Sequence, residues 1–339
     1  MRPLTFRRLL LICTVLLAVL LAVVILALKL GAVPISVSDL VLSLGRVALG
    51  RSDQLPSEYR LIVFELRLPR ILLGILVGAA LSVSGAGFQA LLRNPLADPY
   101  VLGVSSGAAL GAIVSLIASP HIPWLTPVAA FAGAALTITA VYFLGRREGQ
   151  LDGGTLLLAG IITASFLSAV IMFLMTTLTG RDLRGMAFWL MGDLSTPLAP
   201  GLLWIFVVVL GVAAGAIYTT AADLNLLVTG EREALHLGVH VTRVKLVVYL
   251  AASILTGMAV SVSGAIGYVG LLVPHVMRLL FGSDYRLLIP TSALGGAIAI
   301  VLADTLARTI VPPTELPVGA MTALAGAPVF IYLLRRRLP

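Results

Sequence analysis

Ten stretches of this chain are apolar over lengths that a water-soluble fold rarely uses. They lie at 9–30, 71–92, 99–118, 124–144, 155–178, 201–222, 245–262, 265–281, 287–304 and 316–334. Crossing a bilayer takes roughly 17–25 mostly apolar residues. Backbone in hydrocarbon must also satisfy its own hydrogen bonds, so each stretch predicts a spanning α-helix. The eighth is interrupted by Gly267, Gly270 and Pro274. Composition agrees: 11% of the 339 residues are charged and mean hydropathy is +1.08, whereas a soluble domain carries roughly 25% charged residues. The expected fold is an all-α membrane protein of ten transmembrane helices, a single domain over residues 1–339.

The basic, apolar N-terminus has too long an apolar core for a cleaved signal peptide, so the first span is expected to be retained. Cys13 is the single cysteine and allows no internal disulfide or cysteine-based metal cluster. Basic residues set the orientation. With the N-terminus inside, inner loops and ends hold 14 of the 23 lysines and arginines, including Arg2, Arg93, Arg146, Arg147 and Arg335. Six of the nine outer ones, Lys29, Arg46, Arg51, Arg60, Arg67 and Arg70, crowd the segment between spans 1 and 2. That exception calls for a reason of its own.

The phrase SVSGA stands at 82–86 and again at 261–265. Extended, the copies read SVSGAGFQALLRNP and SVSGAIGYVGLLVP, with Gly87 meeting Gly267. ALGAI at 109–113 is answered by LGGAI at 294–298, and LAG at 158–160 by LAG at 324–326. The copies fall on spans 2–5 and 7–10, in halves near 66–178 and 243–334. Span 2 runs inward and span 7 outward, so the repeat is inverted, a transporter architecture. Gly103, Gly107 and Gly111, four apart, predict close helix packing, as do Gly74/Gly78 and Gly211/Gly215.

Residues 66–112, LRLPRILLGILVGAALSVSGAGFQALLRNPLADPYVLGVSSGAALGA, resemble the hallmark of the FecCD-type permeases, the membrane subunits of ABC importers for ferric siderophores, heme and vitamin B12. TGEREALHLGV (229–239), SGAIGYVGLLVPHVMR (263–278) and ELPVGAMTALAGAPVFIYLL (315–334) match further blocks. The resemblance covers nearly the whole chain. It implies a homodimer in the cytoplasmic membrane, with both termini cytoplasmic, two ATPase subunits beneath, and a binding protein docking outside. The cargo would be a metal chelate, above all an iron complex; no nucleic-acid partner is expected. ATP and magnesium would sit on the ATPase, and the chain would bind no cofactor and be no enzyme by itself. Its only lysines, Lys29 and Lys245, follow no phosphate-loop glycine.

The resemblance also assigns sites. Arg67, Arg70 and Arg308 fall on the positions that receive acidic residues of the binding protein, a task suited to arginine's bidentate fork; Glu65 and Asp304 are near enough in sequence to compete. Glu231, Ala234, Leu237 and Gly238 fall on the ATPase-coupling pattern, within a polar segment at 224–245. Asn94 and Leu96 fall on the inner gate. Gly153 and Gly154 lie in the adjoining gate loop at 148–155, where some relatives carry hydroxyl-bearing residues. An ion-coupled secondary transporter is the alternative, yet it needs ionisable groups mid-membrane, and Asp98, Asp304 and Glu315 sit near span ends. A membrane enzyme would need clustered acids, histidines or a metal set. His275 could be a heme ligand, yet the resemblance places its VPHVMR motif in the family whatever the substrate, and the His236/His240 pair lacks a third ligand for zinc.

The orientation is testable: a reporter fused after Pro339 is expected to read as cytoplasmic, and one inserted at Gln54 as external. An external C-terminus would require an odd number of spans and undo the inverted repeat.

Overall fold

The computed structural model describes residues 5–31, 33, 35–48, 56–118, 122, 124–147, 150–176, 181–196, 198–312 and 314–337. Arg2, Arg51, Gln54, Glu148, Gly149 and Pro339 lie outside the described residues. Helix α1 (Phe6–Lys29) opens on Thr5, whose hydroxyl accepts the Arg8 N–H. An amphipathic α2 (Val37–Ala48) follows, in a segment where the apolar runs predict no helix. The chain then passes as a π-helix (Arg60–Arg67) directly into α3 (Leu68–Leu91). Pro69 lacks an N–H, and the wide turn absorbs it, the Leu68 N–H donating to the Val63 carbonyl five residues back.

Next come α4 (Val104–Ala118), α5 (Leu125–Leu144), α6 (Gly153–Met175), α7 (Arg181–Leu190) and α8 (Pro200–Thr219). Two short helices, α9 (Ala221–Leu227) and α10 (Glu231–His236), lead to α11 (Val241–Ser263), α12 (Val269–Phe281), α13 (Tyr285–Thr309) and α14 (Val318–Arg337). Between α5 and α6 a short antiparallel ladder pairs Arg146 with Leu151 and Arg147 with Gln150. Among the described residues, seven helices are long and apolar enough to cross a membrane. Three shorter apolar ones, α4, α12 and the Val318–Tyr332 part of α14, occupy the remaining apolar runs.

The packing repeats itself under exchange of the two halves. α3 lies against α13 and α12 as α11 lies against α5 and α4; α4 meets α5 and α6 as α12 meets α13 and α14. The helices at the axis of this exchange, α3 and α11, pack on each other. They are the buried ones: 83% of the most apolar stretch ending at Leu91 is covered and 78% of that in α11, against 6% in α1. One sequence marker does not fit. ALGAI lies on α4 and LGGAI on α13, whereas the packing pairs α4 with α12.

Nor do the two SVSGA copies share a conformation. The first lies inside continuous α3; the second ends α11 at Ser263, and Gly264 (φ +65°) turns the chain. Gly87 is therefore helical, beside Val248, while Gly267 stands in the break with nothing around its α-carbon to exclude a side chain.

Glycines fix the core distances. Gly78 of α3 and Gly296 of α13 each face the other's carbonyl with no room for a Cβ, and Gly85 faces the Gly270 carbonyl of α12 in the same way. Ser84 links α3 to α11, donating to the Ala252 carbonyl at 2.7 Å and lying 2.6 Å from the Thr256 hydroxyl. Gly107 and Gly111 abut the backbone of α5 at Gly133 and Ala129. Gly103 differs from them: at φ +76° it caps the turn before α4 and faces α6. Gly211 and Gly215 touch nothing within the chain, so the packing expected of that pair is not made here.

Gly85→Val is therefore expected to destabilise the solubilised protein by about 1–3 kcal/mol through overpacking, while Gly211→Ala leaves it near wild type. Thermal unfolding in one detergent compares them, and equal stability would refute the backbone contact.

Candidate functional site

α3 carries the predicted residues to two opposite ends. Its 24 residues span about 36 Å at 1.5 Å each, with Arg67 and Arg70 at its start and Arg93 and Asn94 just past its end.

At the starting end the three predicted arginines come together, but their forks turn inward. Arg67 is buried and donates to the Leu28, Lys29 and Val33 carbonyls. The last carbonyls of a helix have no intrahelical partner, so Arg67 caps α1. Gly31 leaves space for its guanidinium, which a Cβ there would strike. Arg70 Nε lies 2.8 Å from Asp304 Oδ1, and its Nη1 2.7 Å from Glu315 Oε2. Arg308, one helical turn beyond Asp304, pairs with its Oδ2 at 3.0 Å. Of the two carboxylates near enough in sequence to compete for these arginines, Asp304 does so and Glu65 pairs with Arg60 instead. Buried guanidinium groups require carboxylate or carbonyl partners, and the chain supplies its own. An open cavity of about 290 Å³ remains above them, lined by Arg67, Arg70, Arg308, Glu315 and Ser195 among others.

At the other end the chain turns on Arg93, a left-handed residue at φ +48°. Asn94 caps its own loop, its Oδ1 accepting the Leu96 N–H at 2.9 Å, and Leu96 is exposed. Gly153 and Gly154 form the first turn of α6 rather than loop. The hydroxyl chemistry sits one residue on: Asp152 accepts both the N–H and the hydroxyl of Thr155. Gly153 faces Leu92, the residue that caps the end of α3, with room there for no more than a Cβ in ordinary contact at 3.6 Å.

The predicted coupling residues divide by exposure. Ala234 is wholly buried, while Leu237 is exposed, as is its neighbour Leu235. Gly238 takes φ +86° in open space and ends α10, so His236 and His240 do not share a helix. Val239 and Val241, further apolar positions of the polar segment, are buried in the chain's own core. Glu231 forms ion pairs with Lys245 at 2.6 Å and Arg93 at 3.5 Å. α9 is pinned to the start of α13 by Asn225, which donates to Asp284 and accepts the Tyr285 N–H. Hydrogen bonds from Arg286, then Asn225, hold the Asp284 carboxyl at about 2. Because that value is depressed, the anchor's contribution is present at neutral pH and is lost only as pH falls towards 2.

Lys245 and Arg93 are functional candidates that motif reading did not single out, although Lys245 is one of only two lysines. No group of three metal-ligating side chains occurs among the described residues.

Among the described residues, seven long apolar helices and three shorter ones, packed in two matching sets about α3 and α11, define a multi-pass membrane protein. The chain belongs to the FecCD transport family, whose model matches residues 19–336. It is 45% identical over 288 residues to the cobalamin import system permease protein BtuC of Halobacterium salinarum, covering 83% of this chain and 75% of that one. It is 43% identical over 286 residues to the hemin transport system permease protein HmuU of Yersinia pestis, covering 81% and 84%. A solved structure described as an inward-facing conformation of a metal-chelate type ABC transporter superposes with TM-score 0.83 at 30% identity, over 96% of this chain and 99% of that one.

Removing Arg70 would strand Asp304 with Arg308 alone. Arg70→Met is expected to cost about 3–5 kcal/mol, the range for breaking a buried pair, and Arg70→Met with Asp304→Asn less than the sum of the two single losses. Denaturation of the solubilised protein measures the three variants; strictly additive losses would show that the pair is not coupled.

Proposed function

We propose that the chain is the permease subunit of an ABC importer for a metal chelate, working as a homodimer on two separate ATPase subunits in the cytoplasmic membrane. The observation that carries this reading is the meeting, at one end of α3, of the polar segment at 224–245 with both gate segments. Leu235 and Leu237 give that segment an exposed apolar tip at a turn, where no span covers it. Such a tip suits a soluble protein partner, as large exposed side chains beside polar ones do.

The opposite end would receive the binding protein. An acidic side chain entering the cavity above Arg67, Arg70 and Arg308 would have to compete with Glu315, half-exposed and paired with Arg70. Docking would then exchange one carboxylate for another on a standing arginine. The cargo would be an iron–siderophore complex, with heme and cobalamin as the other members of the class. Relatives at 45% and 43% identity carry the names of two different chelates, so selection is assigned to the binding protein.

Co-expression with the cognate ATPase tests the reading. The wild-type chain is expected to retain the ATPase through purification, and Leu235→Glu with Leu237→Glu to lose it while still inserting in the membrane. Uptake of radioactive iron–siderophore, hemin and cobalamin by cells with and without the gene then reads the cargo. Retention of the ATPase by the double variant would remove the coupling assignment.

A further inference from the structure

Three segments far apart in sequence meet on one carboxylate and one ammonium. Lys245, in the first turns of α11, is buried. Its Nζ lies 2.6 Å from Glu231 Oε1 and donates to the Leu151 carbonyl at 2.9 Å. Glu231 is the first residue of α10. Leu151 closes the short ladder and directly precedes Asp152, the cap of α6. On the solvent side, Arg93 Nη2 approaches the same Glu231 oxygen at 3.5 Å, next to the Asn94 turn.

The strengths of these links differ. Arg93 is half-exposed, and a pair of that kind is worth about 0.2–1 kcal/mol at most. Lys245 is enclosed, and a buried ammonium cannot leave its carboxylate without stranding a charge. A displacement of α10 therefore carries Lys245 and the Leu151 carbonyl with it, or breaks a bond that is costly to break. Ala234, wholly buried on the same short helix, gives α10 a second grip on the bundle. The segments on the far side of the node are the two that flank Leu96 and Gly153.

We propose that Lys245 is a positioning residue that transmits displacement of α10 to the gate segment at 148–155, with Glu231 as its hinge point, while the Asn94 turn is reached from Glu231 through Arg93 as a separate, weaker branch. The inference rests on the reading of 224–245 as the surface that meets the ATPase. It adds the route from that surface to the gate, and a residue to carry it.

The test uses the full complex with its ATPase. Cys13→Ser removes the only cysteine, and Gly154→Cys places a thiol on the exposed first turn of α6, in the gate segment that Leu151 belongs to. Labelling of that thiol by a membrane-impermeant maleimide is timed without nucleotide and after trapping with ATP and vanadate. In the parent complex the labelling rate is expected to change by about tenfold or more between the two states, as a gate strongly biased by nucleotide requires. In Lys245→Met the complex still assembles and hydrolyses ATP, but the rate no longer responds to trapping, and Lys245→Arg restores the response. A passive staple would leave the response intact wherever the complex assembles, and that outcome overturns the proposal. Should Lys245→Met fail to accumulate, Glu231→Gln with Lys245→Gln removes both charges together and leaves neither stranded. An unchanged response in that pair likewise overturns the proposal, and a lost one supports it where the complex still retains its ATPase and hydrolyses ATP. Failure of the parent chain to retain any ATPase is a separate result, which would refute the permease reading instead.

Discussion

The structure rests on how closely α3 can approach its neighbours. Within a bilayer, lipid tails are as apolar as leucine, so burying leucine against leucine gives helices little reason to associate. What remains is contact between backbones. Gly78 against Gly296 and Gly85 against Gly270 supply it, placing carbonyls where any other residue would carry a side chain. Ser84, seated between them in sequence, satisfies its hydroxyl on α11. A helix surrounded in this way can serve as the axis on which both ends of the molecule are mounted, and the starting arginines and the Asn94 turn past its end are both set by it.

Charges at the ends of α3 are treated differently. At its start, Arg67, Arg70 and Arg308 are drawn inward and matched by Asp304, Glu315 and the terminal carbonyls of α1. This holds in place a first helix that otherwise touches the bundle only along one side. At its end, Arg93 stays half in water, while Lys245 is enclosed. The same residue class therefore braces one end and joins three separate segments at the other.

Much of this was legible in the sequence because it follows from lengths. The ten apolar runs became ten helices with ends displaced by a few residues, since hydrocarbon thickness leaves little choice. α2 was not legible: its apolar positions fall on one face, and no run of the required length marks it. The π-turn before α3 was hidden for a related reason, because Pro69 reads as a helix start until the wide turn before it is seen. Side-chain direction was the least legible part. Arg67 and Arg70 can be placed on one helix from their spacing, but whether they point outward depends on Asp304 and Glu315, more than two hundred residues away. Ala234 and Val239 show the same limit, for the coupling pattern gives positions and not which of them face a partner.

The repeated SVSGA has a mechanical consequence. In α3 it is part of an unbroken rod, held by hydrogen bonds along its whole length. After α11 the same five residues end a helix, and five residues of irregular backbone separate it from α12, whose 13 residues reach only about 20 Å of a hydrocarbon core about 30 Å thick. The two halves are thus alike in plan and unlike in stiffness. At the joint after Gly264 the backbone bonds pass from the helix to other segments, the Ser263 carbonyl accepting the Asp193 N–H and the Ile266 N–H donating to the Tyr100 hydroxyl, whereas α3 depends on its own ladder throughout.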